Sequence, residues 1–257
     1  MSFFNRVMAS IGIGAAQVDT VLEKNRYAPG ELVRGVVKIK GGNVEQQVDS
    51  IYISVMTQYV KEVDDRKVYQ SAEVAKTRVS EPFLVKPQAA SEIPFSFELP
   101  LTTPLSVGRT PVWLKTGLDI KSAVDPTDDD KIEVVPNAAM QAVLDGVSEL
   151  GFRLRNADCE YAPRFGYGAF VQELEFVPMS GPYRGRLDEL EVIMHPRGDS
   201  IDLFLQVDRR ARGLAGLFSE ALEMDETNVR FTLDAATLSR GAGAVAAQLD
   251  AVIRRYS

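Results

Sequence analysis

Alternation of apolar and polar positions dominates the first half of the chain. In "YAPGELVRGVVKIKGG" (Tyr27 to Gly42), Val33, Gly35, Val37 and Ile39 share one parity, while Arg34, Lys38 and Lys40 share the other. A period of two is the mark of a strand with one buried face. Pro29-Gly30 stands in front of it. Proline presets φ at the second position of a β-turn, and glycine accepts the positive φ of a type II turn at the third. Ala28 to Glu31 is therefore predicted as a turn feeding a strand, with Val36 as the one apolar residue on its outer face. Gly41-Gly42 punctuates, and Val44 to Tyr59 resumes with Val48, Ile51, Ile53, Val55 and Met56.

The pattern then repeats in short segments. "YVKEVDDRKVYQ" predicts a hairpin with its tip at Asp64-Asp65-Arg66, and Glu73 to Leu84 predicts another strand. "IPFSFELP" (Ile93 to Pro100) turns Ile93, Phe95, Phe97 and Leu99 inward. Its two prolines confine it to a sheet edge or to strand ends. "VWLKTGLDIKSAV" closes the set. Many strands with no helix between them predict an antiparallel sandwich.

From Pro136 the periodicity becomes mixed. Pro136-Asn137 opens a helix with Met140, Val143, Leu144 and Val147 on one face and Gly151 at its end. Strands are predicted at Phe152 to Glu160, Phe170 to Pro178, Leu187 to Met194, Ile201 to Val207 and Asn228 to Leu233, the third and fourth joined by the turn "HPRGDS". A helix capped by Asp234 carries Leu238, Ala242, Val245, Leu249 and Val252, spaced as a seam that docks on the body or on a second subunit. Two more amphipathic segments hold Phe3, Phe4, Val7, Met8 and Ile11, and Leu214, Leu217, Phe218, Ala221 and Leu222.

"DPTDDDK" (Asp125 to Lys131) packs four carboxylates into six residues and reads as a solvated connection between domains. It lacks the ligand spacing and central glycine of a calcium loop. The predicted fold is mainly β: two antiparallel β-sandwich domains, residues 1–128 and 129–257, with short peripheral helices.

Charge and composition narrow the function. A net charge of -7 and a pI near 5.0 argue against a nucleic-acid partner. Cys159 and His195 are each alone of their type, which removes a disulfide framework and the usual zinc sites. No window approaches the roughly 20 apolar residues of a membrane span, and the N-terminal segment has neither the charged region nor the unbroken apolar run of a signal peptide. A cytoplasmic location is the expectation.

Catalytic signatures are scarce. There is no G-x-S-x-G elbow and no Walker loop, and "GIGAAQ" has no strand before it to make a dinucleotide fingerprint. Glu173 with Glu175, and Asp188 with Glu189, are the carboxylate pairs available for acid-base work, and solvent-facing strand residues are the simpler reading of both. His195 and Arg197-Gly198-Asp199 fit turn chemistry, and Cys159 fits a small buried hydrophobe. The chain is thus expected to be a binding protein, with no enzyme activity and no cofactor. Candidate partner-binding residues are Phe3, Phe4, Val7, Met8, Phe95, Phe97, Leu214, Leu217, Phe218, Leu249 and Val252. Strand edges at Phe95 to Leu99 and after the Pro29-Gly30 turn would take protein partners by strand addition. The two seams suit a homodimer, and the alternative for the N-terminal segment is peripheral contact with a bilayer.

The residues "YAPGELVRGVVKIKGGNVEQQVDSIYISVMTQYVKEVDDRKV", "WLKTGLDIKSAVDPTDDDKIEVVP", "ELGFRLRNADCE", "FVQELEFVP" and "PYRGRLDELEV" resemble the SpoOM family of bacterial sporulation-control proteins. That family is similar to arrestins, which also carry a Pro-Gly turn before a strand and a later "PFSFxLP" edge, matched here by Pro94 to Pro100. The resemblance implies an arrestin-like arrangement of two sandwiches and a non-enzymatic adaptor or scaffold in control of sporulation or stress physiology. It carries over no catalytic residues.

Overall fold

The computed structural model of the protein describes residues 16–63, 66–121, 125–165, 168–208 and 228–256. The chain is mainly β, with a few short helices. It divides into two compact units. The first takes residues up to Thr57 with Ser71–Thr103 and Pro111–Val134; the second takes Gln58–Gln70, Pro104–Thr110 and the chain from Val135 onward.

The first unit holds two sheets. Strands β1 (Gln17–Leu22), β3 (Leu32–Lys40) and β7 (Ala90–Glu98) form one, in the order β1-β3-β7. The other is built on β4 (Gln46–Val63), which pairs with β5 (Arg66–Arg78), β6 (Phe83–Val85) and β8 (Val112–Ile120); β9 (Thr127–Val134) and β2 (Arg26–Tyr27) follow beyond β8. Inward residues of both sheets are fully buried, among them Val33, Val37 and Ile39 of β3 and Ile51, Ile53, Leu114 and Leu118 of β4 and β8. The hydroxyl of Thr20 on β1 donates to that of Thr116 on β8 at 2.7 Å.

The opening turn forms as the sequence predicts. Glu31 N–H donates to the Ala28 carbonyl at 3.0 Å, and Gly30 sits at φ +87°. The Glu31 carboxylate accepts from the Lys24 ammonium and from Ala28 N–H, and these bonds hold it below the usual carboxylate range. In β3, burial alternates as expected, with Val36 half-buried outside. In β4 the register shifts between Val48 and Ser50, so Asp49 bulges out. That extra residue lets Val48 and Ile51, which differ in parity, both face the core.

Two expectations change. The strands read separately up to Gln70 and from Glu73 are one 13-residue strand, β5, because no glycine or proline interrupts them. The acidic stretch is no loop: Thr127 to Lys131 belong to β9, anchored by buried Ile132 and Val134 and laddered on β8. Asp128 there accepts the Thr20 N–H at 2.7 Å.

The second unit centres on an antiparallel sheet of β10 (Phe152–Tyr161), β11 (Phe170–Pro178), β12 (Glu189–Arg197), β13 (Ser200–Asp208) and β14 (Asn228–Leu233), in that order. Its helices are α1 (Ala138–Glu149), α2 (Ala235–Ser239) and α3 (Ala242–Ile253). Asn137 caps α1 by accepting Met140 N–H at 3.0 Å, and Asp234 caps α2 by accepting Thr237 N–H at 2.7 Å. Gly151 ends α1 at φ +91°, where a Cβ would come within 2.2 Å of the Ser180 carbonyl oxygen. The C-terminal seam is broken at Gly241, φ +82°, into α2 and α3. It then packs within its own chain. Val245, Leu249 and Ile253 are fully buried, and Gly146 of α1 lets the two helices close, since a Cβ there would lie 2.8 Å from Val245.

Each strand of this sheet has two differently made faces. Ala157, Leu174, Phe176, Leu190, Val192, Leu203, Leu205 and Leu233 form a buried apolar face, with Cys159 among them as expected. The opposite face carries Asp158, Glu160, Glu173, Glu175, Glu189, Glu191, Asp202 and Gln206.

Candidate interaction site

Strand β7 is the edge of the three-stranded sheet of the first unit that carries the candidate site. Its register with β3 is unbroken from Leu32 opposite Glu98 to Lys40 opposite Ala90. The bonds just past its two ends fix which groups face inward. Leu99 N–H donates to the Glu31 carbonyl at 2.8 Å, Gly30 N–H to the Leu99 carbonyl at 2.7 Å, and Gly41 N–H to the Ala89 carbonyl at 2.8 Å. Odd-numbered residues of β7 therefore bond to β3, and Glu92, Pro94, Ser96 and Glu98 point their backbone groups the other way. Among the described residues no strand pairs with that side. Pro94 falls in the outward set, so its missing N–H costs the β3 ladder nothing.

Two grooves meet at this edge. One, of about 510 Å³, is lined by Val21, Leu22, Glu23, Arg34, Gly35, Val36, Pro94, Phe95 and Ser96. The other, of about 410 Å³, runs between Pro94 to Ser96 and the segment Arg78 to Glu81. Across the outer face of the sheet, Val21, Val36 and Pro94 stand side by side as an apolar stripe. Asp19, Lys38 and Glu92 form a charged row on one side of it, and Arg34 lies on the other. The far wall is held rigid: Ser80 Oγ accepts Ile51 N–H at 2.9 Å, Val79 N–H donates to the Ile51 carbonyl, and Arg78 pairs with Glu81 at 3.3 Å.

The candidate residues named from sequence fare differently. Phe95 and Phe97 lie on this edge strand, yet their rings are turned into the core at 7% and 8% exposure. The ring of Phe95 covers Gly35, where a Cβ would come within 2.8 Å of it. What β7 offers outward is backbone and the side chains of even residues. The strand after the Pro29-Gly30 turn is no edge, because β3 is flanked by β1 and β7. Leu249 is buried against α1 and Val252 is half-buried, so the seam is occupied within its own chain. Phe3, Phe4, Val7, Met8, Leu214, Leu217 and Phe218 lie outside the described residues.

Sequence reasoning missed the Arg78 to Glu81 wall and Val21, whose 43% exposure completes the stripe. The usable signal was Pro94 itself, which marks the side of the strand that needs no donor. It also misjudged the carboxylate pairs. Glu173 and Glu189 are 9% and 2% exposed, not solvent-facing. Among the described residues no group of three or more His, Cys, Asp or Glu is arranged to hold a metal ion, and no helix is long and apolar enough to cross a membrane.

Known proteins share this architecture. The family profile of the SpoOM protein matches residues 4–211. The sporulation-control protein Spo0M of Bacillus subtilis (strain 168) is 46% identical over 231 residues, covering 90% of each chain. The crystal structure of Spo0M, sporulation control protein, from Bacillus subtilis superposes with a TM-score of 0.88 at 41% identity, over 95% of this chain and all of that one. With a family profile matched over residues 4–211 and 46% identity to a relative over 90% of each chain, the chain belongs to the SpoOM family of sporulation-control proteins.

Proposed function

We propose that the protein is a non-enzymatic, arrestin-like adaptor that takes an extended segment of a partner protein along the free side of β7. The observation that carries this reading is the outward set Glu92, Pro94, Ser96 and Glu98, whose backbone groups open between two grooves. An added strand would bond to the N–H groups of Ser96 and Glu98 and to the carbonyls around Pro94. Its side chains would alternate between the apolar stripe and the Arg78 to Glu81 wall. Regulation by such a partner is in keeping with the name of the Bacillus subtilis relative.

A photo-crosslinking residue placed at Ser96, in the protein's own cells, tests this against the same residue placed at exposed Asp145 on α1. Adducts specific to position 96, lost when Glu98→Pro removes a second outward donor, are the expected result. The same adducts from both positions would sink the edge-docking reading.

A further inference from the structure

We propose that the carboxylate array on the polar face of the second unit's sheet is a proton-binding site centred on Glu173, whose protonation sets the charge of that face. The strand register creates the problem that a proton solves. It places Asp158 opposite Glu173 and Glu175 opposite Glu191. Like charges directly opposite one another in a sheet are destabilising, and burial removes the water that would screen them.

Such an array is compensated by a cationic side chain, a metal ion or protons. The β10 register shifts between Leu154 and Asn156, and the residue left over by that bulge is Arg155. The bulge aims its guanidinium at Glu175 and Glu189, with which it pairs. Among the described residues Glu173 receives no such cation. Its Oε2 is buried without a hydrogen-bond partner. The described carboxylates are not arranged to hold a metal ion. A proton is the compensation left.

Among the described residues the charged groups around Glu173 are Asp158 and Glu160 on β10, Glu175 on its own strand, and Glu189 and Glu191 on β12. Burial first, then the like charges of Glu191, Glu160, Glu189 and Asp158, push the Glu173 carboxyl up to about 9. Glu160 is pushed up to about 7 by burial, against the pull of Lys67 on β5 and with added repulsion from Asp158 and Glu62. Glu173 thus holds its proton at neutral pH, and Glu160 exchanges one with solvent near that pH. On ionisation the O–H bond breaks, the proton leaves to water, and the carboxylate stays behind.

Carbon-13 NMR of the glutamate side-chain carboxyls in the full chain, followed from pH 5 to 10, reads this directly. We expect one resonance with a midpoint above about 7 that disappears in Glu173→Gln. All glutamates titrating below about pH 6 would overturn the proposal. Thermal melts supply a second reading. The stability associated with a raised carboxyl is fully present below its unfolded value of 4.5 and is lost as pH rises through the folded value. The parent's melting midpoint should therefore fall between pH 6 and 9, and that of Glu173→Gln should fall less. Equal falls in both proteins would also overturn it, and the carboxyl titration of the parent decides the matter even if the variant does not fold.

Discussion

Asp202 and Glu173 sit on the same face of the same sheet, both with little solvent contact, and their surroundings treat them in opposite ways. Asp202 on β13 accepts the Thr232 hydroxyl at 2.7 Å and faces the guanidinium groups of Arg230 at 3.0 Å and Arg197 at 3.4 Å. The Thr232 bond, and then those two cations, outweigh burial and hold its carboxyl below the ordinary range. Glu173 on β11 has burial and four like charges, and it is driven up to about 9. Loss of solvent contact alone therefore does not decide the charge of an acid. What differs is supply: cations and a hydroxyl reach Asp202 from the two strands that flank its own, β12 and β14, whereas the bulge near Glu173 gives its arginine to Glu175 and Glu189.

The comparison breaks hardest at the supplied end. Asp202→Ala leaves Arg230 and Arg197 facing each other and strips the Thr232 hydroxyl of its acceptor. It should cost about 3 kcal/mol at pH 7, measured by urea unfolding, toward the low end for a broken buried pair because both arginines are half in water. The sign of its pH dependence is opposite to that of Glu173. A depressed carboxyl contributes stability above the unfolded value of 3.8 and loses it as pH falls through the folded value. Parent and variant should therefore converge in acid. A gap that stays constant down to pH 2.5 would show that the loss is one of packing and not of charge.

A smaller effect is expected from Arg155→Gln, about 1 kcal/mol at pH 7 by the same measurement. The guanidinium is 47% exposed, so solvent screens part of the interaction. The variant should nevertheless move the high-pH glutamate resonance further up, because two more uncompensated carboxylates then face Glu173. If that resonance stays where it is, the bulge does not control the array.

Sequence made much of the framework legible, and the reasons it stopped are physical. The Ala28 to Glu31 turn, the alternation of β3 and the caps at Asn137 and Asp234 depend on local chemistry, and each was readable from a few adjacent residues. The bulges at Asp49 and Arg155 were not, because an inserted residue shows itself only against its partner strand. Glu173 and Glu175 share a parity with Val171 and Val177, while Gln172, Leu174 and Phe176 share the other, so "FVQELEFVP" has apolar residues on both faces. Such a strand announces that both sides are covered, yet it cannot say that acids are covered with them. At β7 the residues with the strongest apolar signal, Phe95 and Phe97, turned out to be core. The edge proposed for docking lies in the weaker even-numbered set between them.

The finest test of the contrast lies in the aromatic residue that backs one of the cations. The Arg230 guanidinium stands 4.8 Å from the centroid of Phe204, which also packs against Phe165 at 4.4 Å. A ring beneath a guanidinium limits where it can swing, and it adds roughly 0.5–1 kcal/mol of attraction at a partly exposed site. Phe204→Leu keeps an apolar side chain in contact with Val171 and Ile193 while removing that face. Its stability cost should be about 0.5 kcal/mol, the smallest of the set, but it should also carry a second signature. With Arg230 less confined, the Asp202 carboxyl should titrate higher than in the parent while Glu173 is unmoved. Both carboxyls shifting together would mean that the polar face responds as one body, and that the two acids are not supplied separately. A shift at Asp202 alone would place the control of its charge in the pair Arg230 and Phe204, on two adjacent strands whose register brings them opposite one another.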